Sequence, residues 1–308
     1  MAGPIGIGIV GVGKIVRDQH LPALAADPGY RLVAAASRHG KVDGIPNFAT
    51  IEAMLEAVPG LDVVCLCMPP QFRYDAARAA LEAGKHVFLE KPPGATVSEV
   101  EHLKALAAEK GLSLFASWHS RYAPAVEAAR TFLASARLRS AAIDWKEDVR
   151  RWHPNQDWIW MPGGFGVFDP GINALSIATY IFPAMRIVSA ELDFPGNREA
   201  PIAAHVAFRT ADGTAVRMEL DWRQTGPQSW DIAAETDRGS MLLSGGGARL
   251  AIDGKVVHEE REAEYPALYR RFAELAREGR SDADLAPLQH VADAFMLGRR
   301  NVVEAFHD

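Results

Sequence analysis

The residue whose position first suggests chemistry is Lys91, in the segment Leu89-Glu90-Lys91-Pro92-Pro93. It follows a short apolar run, His86–Leu89, that is typical of a buried strand. Ligands of open α/β sheets bind at the carboxyl ends of the strands, so a lysine placed there would lie beside a bound nicotinamide. The proline restricts the backbone after Lys91 and permits a cis bond that would aim the lysine. Taken alone, a surface lysine before a proline-rich turn explains the segment better.

A glycine-rich turn near the start of the chain, Gly8–Val16, indicates where such a cofactor would bind. The turn follows a short apolar strand pattern and precedes helical spacing over Lys14–Ala26. Gly11 suits the tight turn, Gly13 lets a pyrophosphate approach the backbone, and the helix start offers N–H groups to the phosphates. Val16 replaces the third glycine of GxGxxG, so the motif is incomplete. Its place between a strand and a helix favours a dinucleotide site over an unrelated turn.

The tip of the second predicted strand, Ser37-Arg38, indicates which dinucleotide is preferred. An NAD site normally has Asp or Glu there, bound to the ribose hydroxyls. Ser37 can instead donate to a 2′-phosphate, and Arg38 can pair with it and stack on adenine, which predicts NADP with NAD use left open. The residues expected to bind the cofactor are Gly11, Gly13, Lys14, Ile15, Ser37, Arg38, Met68, Pro69, Glu90 and Lys91.

The elements that must position these residues alternate between strand and helix in the first third of the chain. Strands that are apolar throughout, separated by amphipathic helices, predict a doubly wound parallel sheet covered on both faces, a Rossmann domain over residues 1–121. The predicted strands are Ile5–Val10, Arg31–Ser37, Asp62–Met68, His86–Leu89 and Leu112–Ala116, and the predicted helices are Lys14–Ala26, Ile51–Ala57, Gln71–Ala83 and Val97–Lys110 with Ser98 as N-cap.

The pattern changes after Tyr122, which predicts a second, substrate-binding and oligomerisation domain over residues 122–308. Hairpin-like strands over residues 187–257 predict an open, mostly antiparallel sheet with helices on one face, an α+β arrangement. The C-terminal helix could pack back on the first domain. The other predicted elements are a strand at Arg139–Val149 and helices at Pro124–Ala134, Pro170–Tyr180, Tyr265–Arg277 and Leu285–Phe306.

Composition restricts the class of protein. The formal net charge of the 308 residues is −6, with no basic run, which argues against nucleic-acid or anionic-membrane partners. Cys65 and Cys67, two residues apart in a predicted strand, form neither a disulfide framework nor a metal motif by themselves, so no metal is expected. No signal-type or membrane-length apolar stretch occurs, and a reducing cytoplasm fits this pattern.

Longer motifs extend these features into a family resemblance. GKI with HLPAL (13–24) and GKHVFLEKP (Gly84–Pro92) resemble the Gfo/Idh/MocA oxidoreductases. Within that family, WHSRYAPAVE (118–127), WKEDVRRWHP (145–154) and GVFDPGINALSI (166–177) are similar to bacterial aldose 1-dehydrogenases that act on D-galactose and L-arabinose. The resemblance covers essentially the whole chain. It implies NAD(P)-dependent oxidation of an anomeric carbon to an aldonolactone.

The resemblance also implies catalytic roles. Lys91-Pro92 matches the family's Lys-Pro after the fourth strand, and Asp169 with Asn173 matches its Asp-x-x-x-His, with Asn in place of His. Because Asn cannot take a proton, Asn173 is expected only to orient the sugar. Asp169 is then the expected base, with Lys91 beside it to keep the carboxylate charged and to donate to the sugar oxygen. The alternative is that Asp169 caps a helix that has Pro170 at its first position, and both roles can hold together.

The matched segment WKEDVRRWHP implies contacts with the sugar. Glu147 and His153 flank a predicted sheet edge; Glu147 would accept from a hydroxyl, and His153 would bind the sugar or act as an alternative base. Trp152 would stack on a pyranose face, and His119 is a further candidate near the site. Spacing alone favours an exposed strand acid for Glu147 and a core aromatic for Trp152. The other tryptophans, expected to serve in packing, are Trp158, Trp160, Trp222 and Trp230.

Two kinds of function remain open at this level. The first is an enzyme, an aldose 1-dehydrogenase or a dehydrogenase of another sugar or polyol such as an inositol. The second is a non-catalytic NADP-binding regulator with the same two domains, which would not need to keep Lys91, Asp169 and Asn173. The predicted sheet must cover one face with helices, and its other face could pair with a second copy, so a homodimer or larger assembly is expected.

Overall fold

The computed structural model describes residues 3–261 and 263–307. The chain divides into two compact units, the first Met1–Trp118 with Tyr265–Leu285 and the second His119–Glu264 with Ala286–Asp308. The division after Trp118 lies close to the boundary expected at residues 121 and 122. Tyr265–Leu285, which the sequence analysis assigned to the second domain, belongs to the first unit.

The secondary-structure elements are numbered in chain order. The strands are β1 Ile5–Val10, β2 Tyr30–Ala36, β3 Asn47–Phe48, β4 Val63–Leu66, β5 His86–Glu90, β6 Leu114–Ser117, β7 Leu138–Lys146, β8 Met185–Pro195, β9 Ala203–Thr210, β10 Ala215–Asp221, β11 Ser229–Thr236, β12 Gly239–Ser244, β13 Arg249–Ile252, β14 Lys255–Glu259 and β15 Arg299–Val303. The α-helices are α1 Leu21–Ala26, α2 Ile51–Ala57, α3 Arg73–Glu82, α4 Val97–Glu109, α5 Val126–Ala134, α6 Val149–Trp152, α7 Phe168–Ile181, α8 Glu264–Glu278 and α9 Ala286–Leu297.

The first unit contains a six-stranded sheet in the order β3-β2-β1-β4-β5-β6. All of its strand pairs are parallel, which confirms the predicted doubly wound Rossmann sheet. The central strands are apolar along their whole length because helices cover both faces of such a sheet; every residue of β1 and β4 is buried. β1 and β4 are neighbours, so the turns that follow them meet at one edge of the sheet.

Two details of the helices in this unit differ from the sequence analysis. The helix over Lys14–Ala26 forms, but residues 16–20 are π-helical, with the Leu21 N–H bonded to the Val16 carbonyl. Pro22 has no N–H for the α-helical ladder, and a wider turn accommodates that loss. The N-cap of α4 is Thr96, in a capping box with Glu99, so the assignment of Ser98 is wrong.

The second unit contains a nine-stranded sheet in the order β14-β13-β12-β11-β7-β10-β9-β8-β15. Among the described strands of this sheet, only the β7–β10 and β8–β15 pairs are parallel, which confirms an open, mostly antiparallel sheet. Helices α5, α7 and α9 contact this sheet, and the buried positions of β7 alternate as a one-sided cover requires. β7 lies in the interior of the sheet, so Glu147 follows the end of a central strand rather than an edge strand.

The end of the chain was predicted wrongly as one helix over Leu285–Phe306. α9 stops at Leu297, and β15 pairs in parallel with β8. At Gly298 the backbone comes so close to Ala294 that an added Cβ would lie 2.4 Å from its carbonyl oxygen. The valines that follow are β-branched and favour a strand.

Across residues 3–261 and 263–307, each helix is too short or too polar to cross a lipid bilayer.

Candidate active site

The glycine turn after β1 has the shape that a dinucleotide needs. Gly11 has a φ of +86°, and an added Cβ would lie 2.6 Å from the Met68 backbone nitrogen, so both conformation and space require glycine. Gly13 differs, because a Cβ added there would meet nothing within 4 Å. The space beside Gly13 and the helical start at Lys14 therefore fit a pyrophosphate, as the motif predicts.

This difference between the two glycines gives a direct test of the cofactor site. Gly13→Ala is expected to weaken dinucleotide binding by about tenfold or more, because the methyl would occupy space that the phosphates need. The melting temperature is expected to stay the same or rise slightly, since Gly→Ala at an unstrained position restricts the unfolded chain. Fluorescence titration with NADPH and thermal unfolding measure the two effects.

Gly196→Ala is the matched control, because a Cβ there would make only ordinary contacts at 3.6 Å or more. It should leave the NADPH affinity unchanged, and its melting temperature should also stay the same or rise slightly. Unaltered NADPH affinity in Gly13→Ala would contradict a phosphate site at this turn.

The loop after β2 lies against the glycine turn. Ser37 is half-buried and its Oγ accepts a hydrogen bond from the Gly40 N–H at 3.2 Å, whereas Arg38 is exposed. A Cβ at Gly40 would lie 2.2 Å from the Val12 carbonyl oxygen, so this loop and the glycine turn are in close contact. The loop that carries Ser37 and Arg38 therefore lies beside the glycine turn.

Lys91 follows β5 directly, and the Lys91–Pro92 peptide bond is cis. β4 and β5 are parallel neighbours with Leu66 opposite Leu89. The Met68-Pro69-Pro70 turn and Lys91 therefore lie at the same edge of the sheet, as the sequence analysis predicts for the nicotinamide end of the site.

In the second unit, Asp169 lies in the first turn of α7 and is 3% exposed. The N-cap of this helix is Val167, so the alternative that Asp169 itself is the cap is wrong. The His153 Nε2 lies 3.4 Å from Asp169 Oδ2. The helix can approach β10 closely because residue 171 is glycine: a Cβ there would lie 2.5 Å from the Leu220 side chain.

Asn173 lies one helical turn beyond Asp169 and on the same face. Its side chain is half-buried, and its carboxamide makes no hydrogen bond within residues 3–261 and 263–307. The only hydrogen bond at Asn173 there, apart from the helix ladder, goes from the Ser176 hydroxyl to the Asn173 carbonyl, at 2.7 Å. A carboxylate and an available carboxamide thus share one face of α7.

Glu147 is buried and accepts from two indole N–H groups. Trp222 Nε1 lies 3.4 Å from one carboxylate oxygen, and Trp230 Nε1 lies 2.9 Å from the other. The sequence analysis treated both tryptophans as packing residues and missed this role. They follow Glu147 by 75 and 83 residues, so only the pairing of β11 with β7, which sets Trp230 opposite Trp145, could have indicated it.

His153 connects Asp169 to this tryptophan cluster. Its ring centroid lies 5.3 Å from that of Trp222, and its Nδ1 lies 3.4 Å from Gln156 Oε1. Trp152 lies alongside, 5.4 Å from the Trp230 ring, and its N–H donates to Gln228 Oε1 at 3.3 Å. The structure therefore brings Glu147, Trp152, His153 and Asp169 into one group.

His119 lies in a short helical turn, His119–Tyr122. Arg121 of the same turn donates to the Ser176 carbonyl of α7 at 2.7 Å. The His119 Nδ1 contacts the Glu264 carboxylate, another partner that the sequence did not reveal. A carboxylate at Nδ1 fixes the orientation of the imidazole ring.

One further group in the first unit has ligand-type side chains. The ligating atoms of His20, Cys65 and Cys67 lie within 4.8 Å of one another. Both cysteines are free thiols, and the imidazole nitrogens already contact Tyr269 and Glu90. Hydrogen bonding therefore accounts for this group without a metal ion.

A parallel sheet of the dinucleotide-binding type in the first unit and a buried carboxylate beside an imidazole in the second are compatible with an oxidoreductase. The profile of the GFO_IDH_MocA family, described as an oxidoreductase family with an NAD-binding Rossmann fold, matches residues 5–117. A galactose 1-dehydrogenase from Pseudomonas fluorescens is 45% identical over 307 residues, covering 99% of both chains. The chain belongs to the Gfo/Idh/MocA family.

Solved structures extend the likeness to the whole fold. A crystal structure of a D-galactose-1-dehydrogenase protein from Rhizobium etli is 66% identical, with a TM-score of 0.96 over 100% of this chain and 99% of that one. A 3-ketoreductase from Actinomadura kijaniata, solved with NADP and TDP-benzene, has a TM-score of 0.83 at 20% identity, over 97% of this chain and 99% of that one. The latter shows a shared fold alone. The chain is an oxidoreductase homologous to galactose 1-dehydrogenases.

Proposed function

We propose that this chain oxidises the anomeric carbon of an aldose, D-galactose or L-arabinose or both, to the aldonolactone, with NADP preferred and NAD usable. The observation that carries the proposal is the buried Asp169 carboxylate, with the His153 imidazole 3.4 Å away and the available Asn173 carboxamide one turn along α7. The similarity to two galactose 1-dehydrogenases over nearly the whole chain supports the choice of sugar.

Asp169 is the proposed base. Oxidation at C1 breaks the bond between oxygen and hydrogen in the anomeric hydroxyl and the bond between C1 and its hydrogen, and forms the carbonyl of the lactone. Asp169 accepts the hydroxyl proton, and the electron pair of that bond becomes the new carbonyl bond. When bound, the dinucleotide supplies the hydride acceptor. His153 contacts the carboxylate and fixes its orientation, and Asn173 hydrogen-bonds the sugar.

The surrounding groups are proposed to hold the sugar. Glu147 accepts one indole N–H at each oxygen, which orients the carboxylate, and it is proposed to accept from a sugar hydroxyl as well. The Trp152 ring is half-buried, so an accessible part can pack on a pyranose. His119, oriented by Glu264, supplies a further polar contact.

Lys91 is proposed to donate to the sugar oxygen. It belongs to the first unit, whereas Asp169 belongs to the second, so their joint action stays a prediction from the sequence. An ammonium group that contacts the reacting oxygen would stabilise negative charge that develops there.

D-galactose and L-arabinose pyranoses have the same configuration at C2, C3 and C4 and differ by one exocyclic CH₂OH. A pocket discriminates weakly against one such group unless it hydrogen-bonds the hydroxyl, so activity with both sugars is expected. A cytoplasmic location suits the two free thiols. Assembly into a homodimer or larger oligomer stays a prediction, which light scattering of the purified protein would check.

The test is a spectrophotometric assay of NADPH and NADH formation with a panel of sugars. We expect turnover with D-galactose, L-arabinose or D-fucose, a lactone as the product, and little turnover with myo-inositol. Turnover with inositol alone would reassign the substrate class. NADPH binding without turnover of any sugar would favour the regulator instead.

A further inference from the structure

A buried arginine holds the backbone on both sides of Lys91. Arg73, the first residue of α3, is 3% exposed. Its guanidinium donates to three backbone carbonyls: Nε to Met68 at 2.8 Å, and Nη1 to Glu90 and to Pro92. Met68 and Pro92 lie in the turns that follow β4 and β5, Glu90 is the last residue of β5, and Glu90 and Pro92 flank Lys91. A guanidinium is suited to this task because its donors have a fixed planar arrangement.

A buried carboxylate holds the backbone N–H group of Lys91. Glu90 is 3% exposed, and its Oε2 accepts from the Lys91 N–H at 2.8 Å. The other oxygen, Oε1, accepts from the Tyr265 hydroxyl at 2.8 Å and lies 3.0 Å from His20 Nε2. Arg73 and Glu90 therefore hold the Lys91 segment through its carbonyl and N–H groups.

His20 stabilises the buried carboxylate. The imidazole is completely buried, and its Nδ1 lies 2.6 Å from the Tyr269 hydroxyl. Burial lowers the pKa of His20, but Cys67 and Glu90 raise it, with a net rise to about 10. The His20 ring is thus placed to satisfy the Glu90 carboxylate, and a buried carboxylate requires such a hydrogen-bonding partner.

We propose that Arg73, Glu90 and His20, together called the Lys91 clamp, are positioning residues that fix the backbone from which the Lys91 ammonium reaches the substrate. The inference rests on the proposed function, in which Lys91 contacts the reacting sugar oxygen. Burying charged groups is costly, and Arg73 and Glu90 place three hydrogen bonds on the backbone of Glu90, Lys91 and Pro92. A misplacement of about 1 Å at a reacting centre can cost about 100-fold in rate, so rigidity at Lys91 has a direct use.

The main test is Glu90→Gln, which keeps the shape of the side chain and removes its charge. We expect kcat with the preferred aldose to fall by about tenfold or more, while KM for the sugar and for NADP stays within about threefold. Hydrogen exchange at the peptide containing Lys91 should become about tenfold faster, because a hydrogen bond to a charged acceptor is lost. Glu101→Gln, at an exposed position on α4, is the matched control and should change none of these quantities.

A second pair of variants tests Arg73 by making the same Arg→Lys substitution at two positions of α3. Arg73→Lys keeps the charge but loses the planar arrangement of donors. We therefore expect kcat to fall and hydrogen exchange at the Lys91 peptide to become faster. Arg78→Lys, at a position on α3 that pairs with Glu82, should behave like the wild type. If Glu90→Gln does not fold, two other variants test the clamp by kcat and hydrogen exchange. These are Arg73→Lys and Tyr265→Phe, the second of which removes one hydrogen bond to Glu90.

Lys91→Met separates this proposal from the proposed function. If Lys91→Met keeps full activity, the assigned role of Lys91 fails, and hydrogen exchange in Glu90→Gln alone then judges whether the clamp holds the segment. If Lys91→Met is impaired but Glu90→Gln keeps its kcat, the clamp is overturned. Tightly bound zinc that Cys67→Ser removes would also overturn it, because His20 would then be a ligand and not the partner of Glu90.

Discussion

Asp169→Asn is expected to lower kcat for the preferred aldose by about 1,000-fold, within the range that removal of a general base produces. Asparagine has nearly the shape of aspartate, but its carboxamide cannot accept the hydroxyl proton. NADPH affinity should stay within about twofold of the wild type, because the expected cofactor groups all belong to the first unit. Steady-state kinetics and NADPH fluorescence titration measure the two effects, and Asp169→Ala should behave similarly.

The control for this prediction is Asp157→Asn, an identical change at an exposed acid in the same unit. It should retain wild-type kinetics. Full activity in Asp169→Asn would assign the base elsewhere, and the losses in His153→Gln and Lys91→Met would then identify which of the two accepts the proton.

The first unit could be predicted well because its signals are local. Ile5–Val10 and Ile51–Ala57 were predicted with the bounds that the structure has, since an apolar run and an amphipathic period each lie within one segment. β15 was missed because the same residues are compatible with a helix. What makes them a strand is pairing with β8, which is more than 100 residues away in the chain.

The residues of the candidate site also divide into those that local sequence could predict and those that depend on distant parts of the chain. Asp169 and Asn173 are four residues apart on one helix, so their shared face follows from the sequence alone. The indole donors to Glu147 come from β11 and from the loop between β10 and β11. The carboxylate partner of His119 lies 145 residues further along the chain. Arg73 was missed for a different reason: in the sequence it is one of many helical arginines, and only the turns around it show that its donors bind backbone carbonyls.

Cofactor preference should respond to a single residue at the tip of β2. Arg38→Asp is expected to change the ratio of kcat/KM for NADP to that for NAD by about 100-fold in favour of NAD. The exposed guanidinium is the group we expect to pair with the 2′-phosphate, and a charge-assisted hydrogen bond of this kind contributes about 1.5–3 kcal/mol. Aspartate would also repel the phosphate while accepting from the ribose hydroxyls of NAD.

Arg31→Asp is the matched control, because Arg31 is an exposed arginine near the start of β2, whereas Arg38 follows the end of this strand. It makes the same change of charge and should leave the cofactor ratio unchanged. An equal change in both variants would mean that net charge alone sets the preference. An unchanged ratio in Arg38→Asp would show that Arg38 does not select the cofactor, and Ser37→Ala would then test Ser37, whose Oγ accepts from the Gly40 N–H.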